Sequence, residues 1–158
     1  MRKNSRGFSL IELLIVVAII LIIAAIAIPN LLRSRIAANQ ASAVGSLRTI
    51  NTAEITYAST YNAGYSPDLT SIGPGATPPT AALAGLIDSV LAGGVKSGYG
   101  FAYVAGAPVS GRIDTYTLNA NPTTPGTTGS NYYFTDESGV IRQNSTTNAT
   151  AADSPIGG

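Results

Sequence analysis

Hydrophobic and polar residues follow three different patterns along this chain of 158 residues. Residues 8–28 are apolar, with Ser9 and Glu12 as the exceptions. Residues 37–61 instead carry apolar side chains at steps of three or four, which predicts an amphipathic helix. From residue 99 onward, short runs alternate apolar and polar residues, which indicates strands. The chain is therefore predicted to begin with a long helix and to continue into a sheet.

The helical pattern continues beyond Pro29, so a simple helix end at that residue is the less favoured alternative. Because proline lacks an amide hydrogen and crowds the preceding turn, Pro29 predicts a helix kink. The helix is expected to end near Asn62, before Gly64. The predicted apolar stripe consists of Ala37, Ala41, Val44, Leu47, Ile50, Ala53, Tyr57 and Tyr61. The predicted polar face carries Arg35, Asn39, Ser42, Ser46 and Thr49.

The predicted fold class is α+β, with a long N-terminal helix packed on a four-stranded antiparallel sheet. One half of the helix would span a membrane and the other half would be amphipathic. Strands are predicted at 99–104, 113–118, 131–135 and 139–142, with a short helix over 83–91 before them. The predicted segments are a leader at 1–7, an apolar helix at 8–29, an amphipathic helix at 30–63, a connection at 64–98, and a sheet with its tail at 99–158.

Composition narrows the chemistry, because the chain contains no Cys and no His. Thiolate ligands, cysteine nucleophiles and imidazole catalysis are therefore excluded. Asp136 and Glu137 are adjacent, and their spacing is poor for calcium. We therefore predict no catalytic residues, no metal and no cofactor, and we do not expect an enzyme. The formal net charge of +1 also argues against direct nucleic-acid binding.

The N-terminal run permits several interpretations. Its 21 residues would form a helix of about 30 Å, the thickness of a bilayer core. Residues 1–7 are basic, which would keep the N-terminus cytoplasmic. A cleaved secretory signal, a plain membrane anchor and a buried core helix are the simpler alternatives. A buried core helix is disfavoured because all faces are apolar and the leader is basic. A signal or a plain anchor leaves Glu12 unexplained, because a carboxylate in hydrocarbon is costly and usually functional. An interfacial carboxylate that reaches the lipid headgroups is the simpler alternative for Glu12.

The segment Arg6–Gly7–Phe8–Ser9–Leu10–Ile11–Glu12–Leu13 resembles the processing and assembly motif of type IV pilins and the related pseudopilins. The resemblance implies that a prepilin peptidase cuts between Gly7 and Phe8 and that Phe8 is then N-methylated. It also implies an assembly role for Glu12, whose carboxylate would pair with the new amino group of Phe8 in its own or a neighbouring subunit.

The same resemblance implies a structural subunit that polymerises with other pilin subunits into a type IV pilus. Its partners would be the inner membrane, prepilin peptidase, an assembly platform and motor ATPases. The subunit would reside in the inner membrane before assembly and on the cell surface afterwards. A pseudopilin of a type II secretion system, or a minor pilin, is the alternative. The chain has no Trp, whereas major pseudopilins share a Pro-Trp-Gly stretch, and this difference favours the pilin.

Overall fold

The computed structural model describes residues 8–75 and 77–157. The predicted leader, residues 1–7, therefore lies outside the described residues. The chain divides into two compact units, Met1–Arg35 and Ile36–Gly158. Helix α1 comprises Leu10–Tyr61, so it occupies most of the described first unit and opens the second. Pro29 lies inside this helix and does not end it.

The end of α1 follows the predicted pattern. Asn62 and Gly64 both have left-handed backbone angles, with φ of 54° and 79°. Gly64 also lies against the backbone of Ile113, and a Cβ atom there would stand 2.0 Å from the Ile113 carbonyl oxygen. The next residue, Tyr65, donates its amide hydrogen to that oxygen at 2.8 Å. Glycine is therefore needed at position 64 for both its conformation and its small size.

The second unit contains one antiparallel sheet of five strands in sequential order. The strands are β1 (Val95–Lys96), β2 (Tyr99–Ala105), β3 (Tyr116–Pro122), β4 (Tyr132–Asp136) and β5 (Arg142–Asn144). The predicted α+β class is confirmed, but the predicted count of four strands missed β1. This strand is only two residues long and pairs with β2 across Ser97 and Gly98. Both turn residues have positive φ, as a two-residue hairpin requires.

Three other predictions differ from the structure. The strand expected at 139–142 starts only at Arg142, because the residues before it belong to the turn or to the irregular segment after it, and β5 continues to Asn144. The helix expected over 83–91 is limited to α2, Ser89–Ala92, with Asp88 as its N-cap. Before it, Ala84 and Leu86 donate backbone hydrogen bonds to the loop residues Ser71 and Ile72, so this stretch pairs with a loop. The strand expected at 113–118 starts later, at Tyr116, and extends to Pro122. Short apolar runs fit a helix or an extended segment equally well, so tertiary pairing decided between them.

The core of the second unit lies where α1 meets the sheet. Leu47, Ile50, Ala53 and Tyr57 are buried there, as the apolar stripe predicted. The stripe is shorter at its start, because Ala37 and Ala41 are exposed. Ser46, which the sequence pattern places on the polar face, is buried instead. The sheet contributes buried side chains from its central strands, namely Tyr99, Phe101, Tyr116, Leu118, Ala120 and Tyr133.

Ile50 and Ile55 provide a matched test of this packing, because both lie on α1 and only Ile50 is buried. Replacing Ile50 by Ala removes buried methyl groups and leaves a cavity, which should cost about 2–5 kcal/mol of unfolding free energy. Ile55→Ala, at a side chain that is 64% exposed, should cost less than about 1 kcal/mol. Denaturant unfolding of the full chain in detergent micelles would measure both. Equal losses would contradict the assignment of the buried stripe.

Candidate functional site

The first turn of α1 holds the residues that the motif singled out. Glu12 folds back toward the helix start, where its Oε2 accepts the Ser9 backbone N–H at 2.9 Å. The Leu13 N–H donates to the Ser9 carbonyl oxygen at 3.2 Å, which is the first turn of the helix. Ser9 and Glu12 thus form half of a capping box, in which the acid at the third helical position satisfies the cap residue's amide. A carboxylate in this turn also interacts favourably with the helix dipole.

The Glu12 carboxylate therefore contacts Ser9, the residue directly after Phe8, where cleavage is predicted. Phe8 precedes Ser9 directly, and its side chain is 79% exposed. Gly7 lies outside the described residues, so the two sides of the predicted cleavage bond are not both described. Between Phe8 and Leu32, Glu12 is the sole ionisable side chain.

The apolar surface around Glu12 is uncovered in the part of the chain that the structure describes. The exposed large apolar residues of this segment are Phe8, Leu10, Ile11, Leu13, Leu14, Ile15, Val16, Val17, Ile19, Ile20, Leu21, Ile22, Ile23, Ile26, Ile28, Leu31 and Leu32. By length and composition, the helix is apolar enough to cross a membrane, and none of its most apolar stretch is buried. A helix that is apolar on all sides needs lipid or protein around it. The segment therefore fits a membrane anchor or the interior of an assembly.

Buried polar residues in the second unit form a hydrogen-bonded cluster that the sequence pattern did not predict. Asn51 is buried, and its Nδ2 donates to Thr135 Oγ1 at 3.0 Å. The Tyr116 hydroxyl donates to Asn51 Oδ1, also at 3.0 Å. One turn further along α1, the Glu54 side chain is completely buried. The residue spacing contained a signal, since Glu54 follows Ile50 by four positions and therefore falls on the apolar face.

Ser66 holds the Glu54 carboxyl through two contacts. The Ser66 N–H donates to Glu54 Oε2 at 2.8 Å, and Ser66 Oγ lies 2.6 Å from Glu54 Oε1. Burial raises the pKa of Glu54 above its ordinary value, and the contacts with Ser66 oppose part of that shift. Burial likewise raises the pKa of the neighbouring phenols Tyr103 and Tyr116.

In the acidic turn at Asp136 and Glu137, the Asp136 carboxylate already accepts hydrogen bonds from within the turn. Asp136 Oδ1 accepts both the backbone N–H, at 3.0 Å, and the hydroxyl of Ser138. Among the described residues, no group of three or more acidic, Cys or His side chains is arranged to hold a metal ion.

Comparison with known proteins places the motif in a family. The family model described as the prokaryotic N-terminal methylation motif matches residues 2–28. A type IV wide pilus major component, PilA4 of Thermus thermophilus, is 65% identical over 37 residues, which cover 23% of this chain and 28% of that protein. Over these matched stretches, the chain is similar to type IV pilins. The resemblance predicted from Arg6 to Leu13 is thereby confirmed.

A second similar protein is the type IV major pilin protein PilA of Myxococcus xanthus. It is 51% identical over 51 residues, which cover 32% of this chain and 23% of that protein. The chain thus matches only about a quarter of the length of either relative. No solved structure matches the chain.

The contact between Glu12 and Ser9 can be tested apart from any assembly. Glu12→Ala removes the acceptor of the Ser9 N–H, whereas Glu12→Gln retains a side-chain oxygen in nearly the same place. Loss of about 0.5–1 kcal/mol of capping energy should speed amide exchange at Ser9 roughly two- to fivefold. Hydrogen exchange followed by NMR on the uncleaved chain in micelles would measure it. Unchanged exchange in Glu12→Ala would contradict the cap, and Glu12→Gln should remain close to the wild type.

Proposed function

We propose that this protein is a structural subunit that polymerises through its N-terminal helix into a type IV pilus. The observation that carries the proposal is the uncovered apolar surface of residues 8–32, which overlaps the methylation motif matched at residues 2–28. In a monomer, lipid would surround this apolar surface. In a filament, the same segment of other subunits would bury it. Both relatives are named as major pilus components, which supports a structural role.

The first step of the proposed pathway is processing at the cytoplasmic face of the inner membrane. A prepilin peptidase would cut between Gly7 and Phe8 and methylate the new amine of Phe8. Gly7 suits a narrow peptidase site because it has no side chain. The basic residues of the leader would hold this end in the cytoplasm, which sends residues 36–158 to the other side of the membrane.

Glu12 would supply the specificity of assembly. A carboxylate surrounded by hydrocarbon requires a partner of opposite charge. Cleavage before Phe8 would create an ammonium group one residue from Ser9, whose amide already binds Glu12. In the monomer this amine would lie close to its own Glu12. In a filament, the Glu12 of one subunit and the amine of the next could pair, which would set the register between them.

The resulting contacts would be head-to-tail, so that assembly continues without closing. Each added subunit must leave the membrane, which requires energy from motor ATPases acting through an assembly platform. Pro29 is proposed as the position where the helix bends to allow packing, because its ring crowds the preceding turn and removes one backbone donor.

Processing has a direct chemical signature. We expect the mature protein purified from filaments to begin at Phe8 and to carry one additional methyl group on its amine. Mass spectrometry of the intact protein and of its N-terminal peptide would detect both changes. An intact Met1 would contradict the proposal. So would an N-terminus created after Ala27, where Ala25–Ile26–Ala27 resembles the cleavage site of a secretory signal. A Gly7→Glu variant should remain uncleaved in the membrane, because its side chain would not enter the peptidase site.

Assembly should depend on the charge of Glu12. We expect Glu12→Ala and Glu12→Gln to insert into the membrane normally but to lower the amount of surface filament at least tenfold, because both lack the charge that pairs with the amine. Electron microscopy and shearing of filaments would measure this in cells with the wild-type chain, with each variant and without the chain. Glu137→Gln changes an exposed acid and should assemble normally.

The comparison between the two Glu12 variants separates its two interactions. If Glu12→Gln formed normal filaments, the helix cap alone would account for the residue and the charge-pairing role would be wrong. If wild-type cells formed no surface filament that contains this chain, the proposed pilus subunit would be wrong, and a secretion pseudopilin would be favoured.

A further inference from the structure

Glu54 is a buried acid that the proposed assembly does not use. Its side chain is completely buried, and both of its oxygens face Ser66. The described ion pairs are Lys96–Asp88 and Arg112–Asp114, so none of the described cations pairs with Glu54. A carboxylate that is both buried and without a cation is costly, since its charge loses the solvation of water.

The contacts of the Ser66 hydroxyl require one more hydrogen than an ionised Glu54 would leave. The Ser66 hydroxyl has one hydrogen. Its oxygen lies 3.5 Å from the Tyr103 hydroxyl, and two acceptors are closer, Glu54 Oε1 at 2.6 Å and the Asp68 carbonyl oxygen at 2.9 Å. If Glu54 were ionised, the hydroxyl could donate to only one of them, and the other would face an oxygen lone pair. The Tyr103 hydroxyl does not resolve the conflict, because it donates to the Ser66 carbonyl oxygen at 2.8 Å.

A proton on Glu54 satisfies all of these atoms. The acid would donate from Oε1 to Ser66 Oγ, and the Ser66 hydroxyl would then donate to the Asp68 carbonyl oxygen. Glu54 Oε2 would still accept the Ser66 N–H. The short separation of 2.6 Å between Oε1 and Oγ is ordinary for a hydroxyl donor and an oxygen acceptor.

The other titratable groups around this site supply no positive charge to Glu54. They are Tyr57 on α1, Asp68 in the loop, Tyr103 on β2 and Tyr116 on β3. None of them carries a positive charge in the physiological range that could pair with an ionised Glu54. Burial, the largest influence, raises the pKa of Glu54, and a side-chain hydrogen bond with Tyr103 lowers it in part. Asp136 and Glu137 lie beyond Tyr116 and carry the same sign of charge as an ionised Glu54.

We propose that Glu54 remains a neutral carboxylic acid in the folded protein and acts as a pH-sensitive latch between α1 and the loop that follows it. The loop is attached by backbone contact from Tyr65 to Ile113 and by the Tyr103 hydroxyl to Ser66. The contacts between Glu54 and Ser66 additionally attach the loop to α1. When base removes the proton of Glu54, either water must enter to hydrate the new charge, or the Ser66 hydroxyl must turn from the Asp68 carbonyl to donate to the carboxylate. Both responses open the loop around Ser66.

The sign of the pH dependence follows from the direction of the Glu54 shift. Burial raises the pKa of Glu54 in the folded state above its value in the unfolded chain. The stabilisation by the neutral acid is therefore complete below the unfolded pKa and is lost as the pH rises through the folded pKa. The unfolding free energy should decrease with pH across that window because of this group.

Glu54→Gln isolates the effect, since its amide group can donate to Ser66 Oγ and accept the Ser66 N–H without any charge. The full chain in detergent micelles would be unfolded with denaturant at a series of pH values from about 4 to about 9. We expect the wild type to lose stability toward high pH relative to Glu54→Gln, with the two closest at low pH. The control Glu137→Gln, at an exposed acid, should keep the slope of the wild type.

Infrared spectroscopy of the same samples reports the proton directly. We expect the wild type at neutral pH to show the carbonyl stretch of a protonated carboxylic acid, and Glu54→Gln to lack it. Absence of that band from the wild type, or a stability difference between wild type and Glu54→Gln that does not change with pH, would overturn the proposal. Neither measurement requires a filament, so the latch and the pilus function can fail independently.

Discussion

The apolar surface of α1 has to be removed from water, and the two parts of the helix meet this requirement in different ways. From Ala43 to Tyr57, one stripe packs on the sheet of its own chain. From Leu10 to Leu32, apolar side chains cover every side of the helix and remain exposed. A single stripe can be buried by one sheet, but an all-round apolar surface needs an environment that surrounds it. The requirement for lipid or neighbouring subunits follows from this difference.

The proposed role of Glu12 depends on the same surroundings. At the surface of a soluble protein, an acid in the first turn of a helix would contribute a modest cap. Within an apolar segment, the carboxylate would attract an opposite charge much more strongly, because no water surrounds it to screen the interaction. The contact with the Ser9 N–H already directs this carboxylate toward the start of the helix. A nearby amine would therefore meet an oriented acceptor.

Polar groups also organise the core of the second unit. Asn51 connects α1 to β3 and β4 through Tyr116 and Thr135. Glu54 connects the same helix to the loop at Ser66. Such buried contacts require accurate geometry, since a polar group left without a partner costs about 1–3 kcal/mol. They restrict how the sheet and the loop can be placed on the helix, which purely apolar packing restricts less.

Local patterns in the sequence determined the long helix, its end before Gly64, the α+β class and the N-terminal motif. These features depend on periodicity and on residues close together in the chain, so they can be predicted without a fold. Only the tertiary structure decided the fate of Glu54, the pairing of residues 84–86 with a loop, and the two-residue strand β1. The first two depend on a partner elsewhere in the chain, such as Ser66 for Glu54, and periodicity contains no information about that partner. Strand β1 pairs with the adjacent β2, but two residues are too few to show an alternation.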